Sequence, residues 1–213
     1  MPAKRAFVIA LLGAESTGKT TLALALRDAL ATLDQSACAV PEVLREFCDR
    51  HGRTPRQDEQ RPIADEQTRR IETAAREHDI VVADTTALMI AVYSDMVFGD
   101  TSLYAQAERA HARCDLSLLT ALDLPWQPDG LQRDGAHVRE PVDARLRAAL
   151  GRAGTSYGVI CGTGPSRLGA ALAAVRRALG PRPLDDAGSA TWHWRCERCG
   201  DPNCERHRIL PMP

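Results

Sequence analysis

The chain has 213 residues, 26% of them charged, and a formal net charge of −1. That length holds one full α/β core and a small appendage, but not two large domains. Near-balanced charge excludes a global basic field for nucleic acid, and no apolar run approaches the roughly 20 residues that a membrane-spanning helix needs.

Lys4 and Arg5 lead into an apolar run, residues 6–12. A signal peptide can begin this way, but the run passes straight into a glycine-containing turn with no cleavage-like segment, so a cytoplasmic protein is expected. Gly13-Ala14-Glu15-Ser16-Thr17-Gly18-Lys19-Thr20 fits the phosphate-loop pattern G-x-x-x-x-G-K-S/T at every fixed position. A polyphosphate needs a backbone that folds around it with its N–H groups inward, which Gly13 and Gly18 permit because they lack Cβ. Lys19 supplies a point charge for the β- and γ-phosphates, and the Thr20 hydroxyl a ligand for Mg²⁺. The helix expected over 19–33, with Thr21 in its first turn, adds unpaired amides and the positive end of its dipole. Glu15, Ser16 and Thr17 complete the expected nucleotide-binding segment.

Further short apolar runs occur at 36–40, 80–83, 116–120 and 157–161, and mostly lack strict alternation. Buried parallel strands read this way. Helical patterns separate them at 58–77, 86–98, 103–114, 142–151 and 166–179. The expected architecture is therefore a three-layer α/β sandwich of the P-loop NTPase class, with a mostly parallel five-stranded sheet over residues 1–180. Ligands of such sheets sit at the carboxyl ends of the strands. Residues just after each run are accordingly the candidates for chemistry.

After the second run come Pro41, Glu42, Arg45 and Glu46. Acids here suit a phosphoryl acceptor and Arg45 a phosphate or ribose edge; pairing among these charges is the plain structural alternative. Asp84 ends the third run, where an acid next to a phosphate loop can hold Mg²⁺ or serve catalysis, or else cap the next helix. The Arg- and Glu-rich pattern at 58–77 reads as a solvated face. Trp126 and Asp129 lie in a Pro-bounded loop and are both assigned to substrate binding; the Trp can stack on a flat, especially cationic, ring or pack the loop onto the domain. Arg133 and Arg139 follow in a Gly/Asp-rich stretch suited to a closing lid that delivers charge to a phosphoryl group in flight. Arg167, in the loop after the fifth run, is assigned to nucleotide-base contact, with a helix cap as the alternative.

From Gly180 the pattern breaks into a Pro/Gly/Asp linker. Three of the seven cysteines fall in the last twenty residues. Cys196-x₂-Cys199-x₄-Cys204-x₂-His207 presents four ligands with compact spacing, which points to a structural zinc in a knuckle-like tail over 181–213.

With these residues assembled, the chain resembles the ribosylnicotinamide kinase domain of NadR-type proteins over about residues 5–179. The resemblance rests on GAESTGKTTL at 13–22, PEVLREF at 41–47, ADTT at 83–86 and LLTALDLPWQPDGLQRD at 118–134. It implies transfer of the ATP γ-phosphate to the 5′-hydroxyl of nicotinamide riboside for NAD biosynthesis. Carried over, Lys19 and Thr20 serve ATP and Mg²⁺, Asp84 the acceptor hydroxyl or metal, Glu42 and Arg45 the acceptor pocket, and Trp126 the pyridinium ring. The family usually has Arg directly after Asp-Gly-Leu; here Gln132 stands there and Arg133 one place later, so Arg139 is the alternative lid residue. The bifunctional members' adenylyltransferase site, His-x-Gly-His, has no counterpart in this sequence, so adenylyl transfer is not expected. A small-molecule nucleoside is the expected partner, membrane and nucleic acid are not, and self-association stays open. A nucleotide-binding regulatory module whose zinc tail docks a partner is the competing reading.

Overall fold

The computed structural model describes residues 5–31, 35–127 and 135–180. All of them fall in one unit, Met1–Gly180. The expected linker and zinc tail, with Cys196, Cys199, Cys204 and His207, lie outside the described residues, as do Asp129 and Arg133.

Five strands alternate with helices: β1 (Phe7–Leu12), β2 (Ala37–Val40), β3 (Ile80–Asp84), β4 (Leu116–Thr120) and β5 (Gly158–Ile160). They form one sheet in the order β2-β3-β1-β4-β5, every pair parallel. The helices are α1 (Lys19–Ala31), α2 (Val43–His51), α3 (Gln57–Glu77), α4 (Ala87–Phe98), α5 (Tyr104–His111), α6 (Arg139–Arg152) and α7 (Gly164–Leu179).

Side-chain alternation along the central strand divides the core. Ile9 and Leu11 of β1 pack with Leu22, Leu26 and Leu30 of α1 and with Ala171 and Val175 of α7. Ala10 and Leu12 point to the other face, against α4 and α6. Helix α4 is buried continuously from Ala87 to Val92, so it lacks the polar face of a surface helix. Three layers result because a sheet with two apolar faces must be covered on both.

The chain leaving β1 passes through α1 toward β2, whereas the chain leaving β3 passes toward β4. Adjacent strands β1 and β3 thus send their connections to opposite sides, which opens a crevice above their carboxyl ends. The β1–β3 register pairs Leu11 with Asp84, so the acid stands beside the strand that feeds the phosphate loop.

Two elements differ from the sequence expectation. The segment after Pro41 forms a helix, α2, closed by Gly52 at φ 63°, which is not among the helical patterns read from the sequence. Helix α6 begins at Arg139 after a 3₁₀ turn over Ala136–Val138, so Arg139 starts a helix instead of riding on a lid.

A buried histidine joins the layers near Asp84. His111 is 2% exposed. Its Nδ1 lies 3.1 Å from the hydroxyl of Thr86, the N-cap of α4, and its Nε2 lies 2.9 Å from the hydroxyl of Ser117 in β4. Burial lowers its pKa from 6.5 to about 4. Between those values the unfolded chain takes up a proton that the folded chain refuses, so this site's contribution to stability declines as pH falls through the window. Melting temperature is therefore expected to fall more steeply from pH 6.5 to 4 in the wild type than in His111→Gln; equal slopes would remove the histidine from the account.

Candidate functional site

The phosphate loop is held in shape from beneath and from the side. Gly13 has φ 144°, and a Cβ there would come within 2.1 Å of the Thr120 hydroxyl at the end of β4. The Thr17 hydroxyl donates to the Ala14 carbonyl at 2.7 Å and accepts from the Thr120 hydroxyl at 2.7 Å. Ser16 takes φ 55°, in the left-handed region where a side chain is rarely found. Lys19 Nζ donates to the Ala14 carbonyl at 2.9 Å, which folds the ammonium back over the loop. The result is the concave nest of amides that anions fit.

Arg167 supplies the lateral tie. It is 5% exposed. One guanidinium nitrogen, Nη2, donates to the Thr17 carbonyl at 2.8 Å, and the other, Nη1, to the Gly162 carbonyl at 2.7 Å and to Asp123 at 3.1 Å. Asp123 also accepts the Gly162 amide at 2.6 Å. Although burial opposes it, that amide and the Arg167 guanidinium hold the Asp123 carboxyl below its usual range. Sequence assigns Arg167 to the nucleotide base; the structure instead spends these donors on two carbonyls and a carboxylate, joining three loops.

A cleft of about 590 Å³ opens from the phosphate loop. Glu15, Ser16, Thr17, Gly18, Lys19, Thr20 and Thr21 line one end. Helix α2 brings Glu42, Leu44, Arg45 and Cys48 to its wall, and Gln60 of α3 and Tyr93, Met96 and Val97 of α4 complete it with His137, Val138 and Val142. Glu42 and Arg45 pair at 3.8 Å while both face the cleft, so the two sequence alternatives for them coexist. Gln67 of α3 is fully buried, accepts the Val43 amide at 2.8 Å and donates to the Pro41 carbonyl at 3.3 Å, which fixes the backbone on both sides of Glu42. The Cys48 thiol is pushed up to about 11, first by burial and next by the Glu42 carboxylate, so it is a neutral wall and not a nucleophile.

Other expected residues are placed differently. Glu46 does not line the cleft; its carboxylate meets Arg70 of α3 at 2.8 Å, because α2 and α3 pack side by side and turn these charges together. Glu46 is thereby withdrawn from the acceptor. The charged face of α3 is partly such pairing, with Glu66 held at about 2 by Arg69 and Arg70. Trp126 is half-buried and is not among the cleft-lining residues. Its loop is tied to the phosphate loop, where the Gln127 amide donates to the Ser16 hydroxyl at 2.8 Å. Arg139 is buried and donates to the Leu124 carbonyl at 2.9 Å, while its Nε and Nη2 have no hydrogen-bond partner.

Asp84 is 3% exposed, and its Oδ1 is buried without a partner. Thr86, not Asp84, caps α4, so the capping alternative for the acid falls. Among the described residues, no group of three or more His, Cys, Asp or Glu side chains is arranged to hold a metal. The orphaned Asp84 oxygen and the Thr20 hydroxyl nevertheless fit the oxygen-donor chemistry of Mg²⁺, which takes few protein ligands when phosphates supply the rest. Sequence reasoning did not single out Gln60, Gln67, Thr120 or His111; only Thr120, at a strand end, carried a positional signal.

Losing the Arg167 tie strands two carbonyls and Asp123. Arg167→Met is expected to cost about 2–4 kcal/mol in urea unfolding and to weaken nucleotide binding with it. An unchanged midpoint would mean that the three loops hold their places without the guanidinium.

No curated protein matches the sequence. The fold is similar to that of NadR in complex with NR, at TM-score 0.63 and 21% identity over 86% of this chain and 54% of that one. It is similar to NadR in complex with NAD and AMP-PNP at TM-score 0.65, again 21% identical, over 86% of this chain and 52% of that one. The chain thus spans about half the length of these NadR structures. Deoxyadenosine kinase from M. mycoides with bound dCTP shares the fold at TM-score 0.52 and 11% identity, over 79% of this chain and 98% of that one. The NadR-type resemblance of the sequence is met by this likeness of fold. A family model described as an AAA domain matches residues 8–167, well over half of the chain, and the protein belongs to that family.

Proposed function

We propose that the protein is an ATP-dependent phosphotransferase acting on the 5′-hydroxyl of nicotinamide riboside or a related nucleoside, in NAD salvage. The observation that carries this reading is the single cleft that runs from the phosphate loop to the Glu42–Arg45 pair, with room for a nucleotide tail and an acceptor in contact. The bond from the γ-phosphorus to the β,γ-bridging oxygen breaks, a bond to the acceptor oxygen forms, and ADP leaves. Catalysis of this kind rests on positioning and charge stabilisation.

The amides of 13–20 and Lys19 grip the phosphates, and Glu42 and Arg45 orient the acceptor. Asp84 takes the hydroxyl proton or, with Thr20, holds Mg²⁺, which when bound neutralises phosphate charge. Arg139, with two unpartnered nitrogens next in sequence to the cleft residues His137 and Val138, is the described arginine suited to stabilise the transferring group; Arg133, Asp129 and Trp126 keep their sequence-based roles. The NadR structures with NR and with AMP-PNP support both halves of this reading.

Acceptor-dependent ADP release across nicotinamide riboside and the common nucleosides tests it. Turnover with nicotinamide riboside is expected, with Lys19→Ala losing nucleotide affinity and Asp84→Asn losing at least ~100-fold in turnover. A panel with no acceptor dependence would defeat the kinase reading.

Cysteine spacing in 196–207 further supports a structural zinc. Purified protein is expected to hold about one zinc per chain by elemental analysis, and Cys196→Ser with Cys199→Ser to hold none, with phosphoryl transfer unchanged.

A further inference from the structure

Two glutamines of α3, seven residues apart and so on the same face of the helix, are buried to different ends. Gln67 has its amide fully engaged by backbone groups of 41–43. Gln60 is 4% exposed, lines the cleft, and its Oε1 is buried with no hydrogen-bond partner. A buried amide oxygen without a hydrogen-bond partner is unfavourable for the fold, and the groups that satisfy such atoms elsewhere are neighbouring residues, water or a ligand.

The surroundings say what kind of ligand. Leu44, Tyr93, Met96 and Val97 line the same cleft with apolar and flat surfaces suited to a ring, and the charged pair Glu42–Arg45 and the phosphate loop lie along it too. A glutamine amide offers one acceptor and one donor side by side, and its best complement is another edge with a donor beside an acceptor. A carboxylate lacks the donor; it would leave Oε1 facing a second acceptor.

We propose that Gln60 is the residue that selects the acceptor, by pairing with a primary carboxamide carried on its ring. The proposal rests on the nucleoside kinase reading above and adds the group that distinguishes an amide-bearing riboside from its acid. Gln60 takes no part in the transfer itself.

The test compares nicotinamide riboside with nicotinic acid riboside, in wild type and in Gln60→Leu, at saturating ATP. Wild type is expected to prefer the amide by about 10–100-fold in kcat/KM, as sites built around a hydrogen bond do. Gln60→Leu should lose that preference through a raised KM for the amide, with KM for ATP and activity on the acid unchanged. Thermal unfolding supplies a second readout: because Oε1 meets nothing in the protein, Gln60→Leu should melt no lower than wild type. If wild type uses nicotinamide riboside and Gln60→Leu keeps its preference, or if the variant loses both substrates and stability together, Gln60 is a packing residue and the proposal fails while the kinase reading stands. If wild type phosphorylates neither riboside, the acceptor reading fails and this one with it.

Discussion

The close seating of the phosphate loop on the end of β4 is the constraint from which the rest of the site follows. Gly13 and Thr120 approach so nearly that no side chain fits between them. The Thr17 and Thr120 hydroxyls then lock the loop's interior, and Arg167 locks its outer limb to the loops after β4 and β5. A nest of amides binds anions only if the amides already point inward, because reorganising them on binding would consume the attraction. Here the loop is held by buried hydroxyls and a buried guanidinium that bond to its own carbonyls and side chains.

The cleft wall formed by α2, α3 and α4 is built by a different principle. Helices α3 and α4 rest on the sheet through apolar side chains, and buried polar contacts add the direction that fixes their register and that of α2. Gln67 grips the backbone at the start of α2, and His111 binds the cap of α4 to β4. Such contacts are directional, and a fully satisfied buried network specifies one arrangement where apolar packing would tolerate several. Glu42 and Arg45 consequently face the cleft from a helix whose register is held by a residue 25 positions away from the first of them.

The phosphate loop, the five strands and most helices were legible because each has a local cause: glycines at fixed spacing, apolar runs of strand length, caps and breakers. Helix α2 was not, since Pro41 and the acids after it drew attention to chemistry while the Gly52 stop and the apolar spacing of Val43, Leu44, Phe47 and Cys48 carried the structure. Glu46 and Arg167 were misplaced for the opposite reason. Both are charged residues next to functional loops, and only tertiary packing reveals that Arg70 and Asp123 claim them. Gln60 gave no signal at all, because one glutamine in a helix rich in Arg and Glu reads as surface.

The end of β3 shows where the fold concedes stability. Thr85, a β-branched residue, is held at φ 81°, a conformation that costs on the order of 1–3 kcal/mol. Its hydroxyl is buried without a partner. Local forces would relax both faults by letting the strand run on into an ordinary turn. Two anchors prevent this: the Thr85 amide donates to the Leu11 carbonyl at 3.1 Å, and Thr86 is fixed by the cap of α4 and by His111. The strain is therefore imposed by the tertiary structure on the residue directly after Asp84. Its effect is to end the strand abruptly, leaving the carboxyl group of Asp84 buried beside the strand that feeds the phosphate loop with one oxygen unspent. A relaxed turn would have allowed Asp84 to cap α4, as acids before helices commonly do. By giving the cap to Thr86 two residues later, the fold leaves the acid with no capping role.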